Sequence, residues 1–270
     1  MMNNMTDTVK QLLIINVLFF IGSIFVPQAN DLLALHYFES DKFHFWQPIT
    51  HMFMHGSLMH IFFNMFALIS FGSALEHFWG AKKFLFFYFS CGIGAALIQS
   101  GINYYEFHSF LNSIDIDFIS NDLKSIVSTE MQNGNYFDPS LFYNNSQEYL
   151  LKYNINIDSS QFYDLFSIAS INQSTMVGAS GAIYGLLVAF AFMFPMAELG
   201  IMFIPVPIKA KYFVPIWILL FDVFYGVLGK YFGFSETGIA HFAHIGGALV
   251  GFFMMWYWKG SQFDKNRWDK

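Results

Sequence analysis

Three short stretches of this sequence hold the residue types from which hydrolytic chemistry is built. "STMVGASGAIYGLLVAF" carries Ser180 among Gly178, Gly181 and Gly185, and "AHFAHIGGALVG" carries His241 and His244 ahead of Gly247 and Gly251. "HMFMHGSLMHIFFNMF" carries His51, His55, His60 and Asn64. A serine hydroxyl becomes a useful nucleophile when an adjacent base takes its proton. Acyl transfer also puts negative charge on the attacked carbonyl oxygen, which calls for donors aimed at it. Ser180, His244 and the His60/Asn64 pair are candidates for these three parts. Taken singly, each residue has an ordinary explanation. Ser180 suits a helix N-cap or a small packing residue, and the glycines suit close packing. Tyr184 reads as a packing ring, His51 and His241 as interfacial or hydrogen-bonded structural groups. Paired membrane histidines can also hold haem or a metal.

The elements that must position these groups are apolar. Of 270 residues, 55% are hydrophobic and only 12% charged, with 36 phenylalanines. That is about half the charged fraction of a soluble domain. The apolar residues gather in runs at about 11–27, 56–75, 84–101, 177–195, 212–229 and 239–258. Each approaches the roughly 20 residues that cross a bilayer as a helix, and none has the alternation of barrel strands. The expected fold is therefore all-α, a polytopic bundle of six transmembrane helices forming one domain over 1–270. The first run lacks the cleavage site of a signal peptide. With both termini cytoplasmic, inside segments hold nine Lys and Arg residues and outside segments four. This agrees with the positive-inside rule.

Residues 102–170 interrupt the third and fourth runs. They carry a net charge of −7 while the rest of the chain sums to +1. They read as a large extracytoplasmic insertion with some disorder, in which "SNDLKSIVSTEMQ" and "SSQFYDLFSIAS" have helical apolar spacing. After the fourth run, three prolines in "IPVPIKAKYFVP" break any continuous helix. The single cysteine, Cys91, forms no intramolecular disulfide and reads as a buried thiol. No basic patch suggests nucleic acid, and "HMFMH" lacks the glutamate of a zinc-protease helix. No metal or cofactor is expected.

Polar groups inside spans are costly and thus functional candidates. The second, fourth and sixth runs would all descend from the outer face. His60, Ser180 and His244 lie about four, three and five residues into them, so at similar depth at 1.5 Å per residue. His60 and Asn64, at i and i+4, share a face. The Gly-x-x-x-Gly spacings at 181/185 and 247/251 let two helix backbones approach, bringing Ser180 within reach of His244.

At this point the sequence resembles the rhomboid intramembrane serine proteases. The resemblance rests on Gly178-Ala-Ser180-Gly181, Ala243-His244-Ile-Gly-Gly247, and His55, His60 and Asn64 at their spacing. Trp46 before the second run and "IPVPIKAKYF" add to it. It covers about 10–101 and 177–258. It implies that Ser180 is the nucleophile and His244 the base, forming a dyad without an aspartate. His60, Asn64 and the Ser180 backbone N–H would form the oxyanion hole. Tyr184 would pack beneath His244, and His55 would hold the loop after the first helix. The loop "GKYFGFSETG" would cover a water-filled cavity. Substrates would be single-pass membrane proteins with small residues at the cut and a helix that unwinds easily; separately, the chain's brevity and Asn-rich loop suggest a bacterial inner membrane. The family's common Trp-Arg is Trp46-Gln47 here, a change expected to touch lipid contacts rather than chemistry. The rival expectations are a non-catalytic rhomboid-like binder of membrane helices and, from another class, a transporter or haem-binding bundle.

Overall fold

A computed structural model describes residues 5–114, 120–133, 136–152, 156–201, 204–232 and 239–262. The chain divides into two compact units. One comprises residues 1–35, 45–99 and 176–270, the other 36–44 and 100–175.

In the first unit each apolar run carries a helix. These are α1 (Asp7–Phe25), α2 (Leu58–Trp79) and the opening of α3 (Ala81–Ile114). After the second unit come α7 (Ser180–Met193), α8 (Ala210–Val227) and α9 (His241–Gln262). Four of them, α1, α2, α3 and α8, are long and apolar enough to cross a membrane. The two that fall short, against six predicted, are those bearing Ser180 and His244. α7 has only 14 residues, and α9 opens on a polar turn. Hydropathy is diluted where small and ionisable side chains gather.

The spanning helices turn large apolar side chains outward, among them Leu18, Ile24, Phe62, Phe66, Phe86 and Leu219. Inside, Met52, Leu68, Phe84, Phe87, Tyr88, Ala182 and Leu186 form the core. The buried Glu76 carboxylate accepts the backbone N–H groups of Thr8 and Val9 at 3.2 and 3.0 Å, and the Thr6 hydroxyl. It thereby satisfies orphan donors at the start of α1 and fixes that end against the far end of α2.

α2 and α8 both contain π-helical turns, at Leu68–Gly72 and Ile218–Val227. In α8 the change follows Pro215, whose ring and missing N–H disturb the α ladder. Between α7 and α8 the proline-rich segment forms an antiparallel hairpin, Glu198–Ile201 with Ile204–Lys209, and the helix restarts at Ala210.

The second unit has a core of its own. α3 runs on to Ile114, beyond the expected end at 101. It is followed by α4 (Ser120–Val127), α5 (Pro139–Lys152) and α6 (Ser159–Gln173). Phe107, Ile114, Ile126, Met131, Phe142, Leu165 and Ile168 pack together. Asp158 and Gln161 form a reciprocal cap on α6, and Gln173 Nε2 donates to the carbonyls of Val127 and Thr129 at 2.7 and 2.9 Å. Its described residues are thus packed and hydrogen-bonded, in keeping with a small helical insertion.

Candidate active site

The site is built where α7 and α9 touch. Gly178 has φ of +118°, a conformation that L side chains rarely adopt, and its N–H donates to the His51 carbonyl at 2.9 Å. This turns the chain so that α7 begins at Ser180, with Ala179 rather than the serine at the N-cap. The N-cap explanation of Ser180 is therefore set aside. As the first helical residue, Ser180 has an N–H with no carbonyl four residues earlier to receive it.

The two Gly-x-x-x-Gly pairs meet face to face. A methyl group at Gly247 would run into the Gly181 carbonyl, and one at Gly251 would lie 2.8 Å from the Gly185 Cα. On the other side of α7, Gly181 abuts Ala95 and Gly185 abuts the buried Cys91. Helix backbones in contact bring His244 Nε2 to 2.9 Å from Ser180 Oγ. The Tyr184 ring stacks on the His244 imidazole, with centroids 4.3 Å apart and planes within 12°.

His244 Nδ1 lies 2.8 Å from Asp222 Oδ1, and His241 Nδ1 lies 2.9 Å from the same oxygen. Asp222, from the π-helical part of α8, has a side chain only 1% exposed. The resemblance implies a dyad without an aspartate; in the structure a buried carboxylate stands against its histidine. His241, expected as an interfacial or hydrogen-bonded structural group, is hydrogen-bonded to the same carboxylate. One signal for Asp222 was present in the sequence: a carboxylate inside "WILLFDVFYG" is expensive in a span and needs a partner.

Asp222, His241 and His244 are also the described residues grouped closely enough to suit a metal ion. Their separations of 2.8 and 2.9 Å are those of direct charge-assisted hydrogen bonds. Ligands spread around a tetrahedral zinc at about 2.0–2.2 Å would stand further apart.

His60 Nε2 and Asn64 Nδ2 both point toward Gly178, at 2.7 and 3.6 Å from where its Cβ would be. Asn64 Nδ2 is buried with no hydrogen-bond partner among the described residues. His55 packs edge-on against His60, with centroids 5.0 Å apart, and its Nδ1 donates to the Phe53 carbonyl at 3.3 Å. The Trp46 indole N–H donates to the Leu32 carbonyl at 2.8 Å. Gln47 is fully buried, its amide near the carbonyls of Asp31 and Leu32. The substitution at this position therefore acts inside the loop rather than on lipid. Of the predicted covering loop, residues 233–238 lie outside the described residues.

A family model of the Rhomboid domain matches residues 42–109 and 145–260. No curated protein matches the chain. The family match covers well over half of the sequence and includes the glycine contacts, Ser180, His244, His60 and Asn64. With its four apolar helices, the chain is an integral membrane protein and belongs to the rhomboid family.

Proposed function

We propose that the chain is an intramembrane serine endopeptidase that cleaves transmembrane segments of membrane proteins. The observation that carries this reading is the 2.9 Å separation of His244 Nε2 and Ser180 Oγ at the head of a helix. As Ser180 Oγ attacks a peptide carbonyl, its proton passes to His244 Nε2 and an electron pair moves onto the carbonyl oxygen. The developing oxyanion is received by the Ser180 N–H, Asn64 Nδ2 and His60, at the positive end of the α7 dipole. His244 then protonates the leaving amine, and water attacks the acyl-enzyme by the same path in reverse roles. The His244 side chain is not fully enclosed by protein, at 13% exposed.

The working topology is six spans with both termini cytoplasmic, following the loop lysines and arginines. The site then lies just below the outer face of a bacterial inner membrane, and the acidic second unit is extracytoplasmic. Substrates are single-pass helices with small residues at the cut, since these unwind readily. A non-catalytic, helix-binding rhomboid-like protein has no need of the Ser180–His244 pair.

The test is reconstitution in liposomes with a fluorescent single-span substrate, beside Ser180→Ala and His244→Ala. Both variants are expected to lose cleavage, and a fluorophosphonate probe should label Ser180 alone. Cleavage by Ser180→Ala at the parent rate would refute the mechanism.

A further inference from the structure

Asp222 has a burial and a partner set that the two-residue mechanism does not use. One of its two oxygens, Oδ1, lies within hydrogen-bond distance of two imidazole nitrogens, His244 Nδ1 and His241 Nδ1. A carboxylate can only accept, so both nitrogens carry protons in this arrangement. For a neutral His244, the second nitrogen, Nε2, must then present its lone pair. That lone pair faces Ser180 Oγ at 2.9 Å. The aspartate thus selects, of two tautomers close in energy, the one that can take the serine proton.

The placement is supported from a second direction. Gly226, four residues after Asp222 in the same π-helical stretch, lies so close to the His241 ring that a methyl group would collide with it. Asp222 and Gly226 therefore turn one face of α8 against the first turn of α9. His241 and His244, three apart, stand on the matching face. His241 Nδ1 is a second donor to the same oxygen that receives His244.

We propose that Asp222 is a positioning residue of the site, completing a Ser180–His244–Asp222 relay, with His241 as the donor that anchors the carboxylate. This rests on the serine-hydrolase reading above. In the attack step the serine proton goes to His244 Nε2, and the resulting imidazolium keeps its Nδ1 proton. Asp222 stays ionised and faces the new positive charge. It takes no proton and makes no bond to substrate.

The experiment compares cleavage and fluorophosphonate labelling by the parent, Asp222→Asn, Asp222→Glu, His241→Ala and His241→Gln in liposomes, with melting in detergent recorded alongside. Asp222→Asn is expected to lower kcat at least about 100-fold while KM stays within about two-fold. Asp222→Glu should recover part of the loss, and His241→Gln, which retains a donor, should exceed His241→Ala. Parent-like kcat in a folded Asp222→Asn protein overturns the proposal and leaves the Ser180–His244 reading standing. A parent protein that neither cleaves nor labels sinks that underlying reading instead. Should Asp222→Asn fail to fold, 15N-histidine NMR of the parent decides. A neutral His244 protonated at Nδ1 supports the relay, and one protonated at Nε2 overturns it.

Discussion

Gly247 sits so tightly against the Gly181 carbonyl that no side chain fits between them. That contact, repeated one turn on by Gly251 against Gly185, sets the distance between the helix carrying the hydroxyl and the helix carrying the imidazole. Packing and chemistry thus depend on the same four glycines.

Gly247→Ala should therefore damage activity more than stability. Forcing a methyl into the contact costs on the order of 1–3 kcal/mol. Displacing His244 from Ser180 by about 1 Å can lower turnover about 100-fold. Gly22 in α1 is the comparison, because a methyl there meets open space. Gly22→Ala should keep parent activity and melt at the same or a higher temperature. Parent-like turnover by Gly247→Ala would show that these helices do not set the reacting distance.

Asn64 offers a test of opposite sign for stability and rate. Its buried Nδ2 has no partner among the described residues, a situation that costs stability until a ligand oxygen arrives. Asn64→Ala should therefore melt no lower than the parent. If the amide serves the oxyanion, kcat should drop about 100- to 1000-fold. Unchanged turnover would remove Asn64 from the hole, with Asn64→Ala/His60→Ala checking compensation by the histidine.

The Tyr184 ring lies flat on the His244 imidazole, and a flat aromatic ring suffices for that contact. Tyr184→Phe keeps the stack but removes the hydroxyl that faces the Asp222 carboxylate, so kcat should fall only a few-fold. Tyr184→Ala leaves a void beside the base and should cut kcat by about 10-fold or more. Equal rates for the two variants would deny the ring a positioning role.

The helices of the first unit were legible because lipid leaves little choice: a span must be long and apolar, and depth follows from rise per residue. Ser180, His244, His60 and Asn64 stood out as candidates for the same reason, as polar groups at matched depths on separate runs. Asp222 escaped because nothing in the spacing of one run says which residue of another it will face, and a π-helical stretch changes the phase of α8. Gln47 escaped because loop burial has no hydropathy signature. In the second unit, α4 and α6 were expected from apolar spacing. α5 was not, although Phe142, Ser146 and Leu150 stand four apart on its buried face. Its Asn-, Ser- and Tyr-rich sequence carries weak helix propensity, so packing rather than propensity holds it. The run of α3 from 102 to 114 was hidden because its residues turn polar while Phe107 and Ile114 still bury.

The last prediction concerns acid. His51 lies outside the spans and is 2% exposed. Burial strips water from its imidazolium and lowers its pKa to about 4, against a neutral Nδ1–H that donates to the Gln47 carbonyl at 2.9 Å. His55 is lowered to about 4 as well, by burial first and then by the neighbouring His60. Both are neutral in the fold and protonate near 6.5 when unfolded, so the unfolded chain binds more protons as pH falls below 6.5. Their contribution to stability should be constant above that value, decline between about 6.5 and 4, and level off below. For His51 alone the loss is on the order of 3 kcal/mol. Because the His51 carbonyl also accepts the Gly178 N–H, loosening this turn should disorder the start of α7 and lower cleavage over the same range. Melting in detergent from pH 7.5 to 4.5 checks this, with His51→Gln expected to show a shallower decline. A parent melting temperature that stays constant across that window would contradict the assignment of His51 as a buried neutral group.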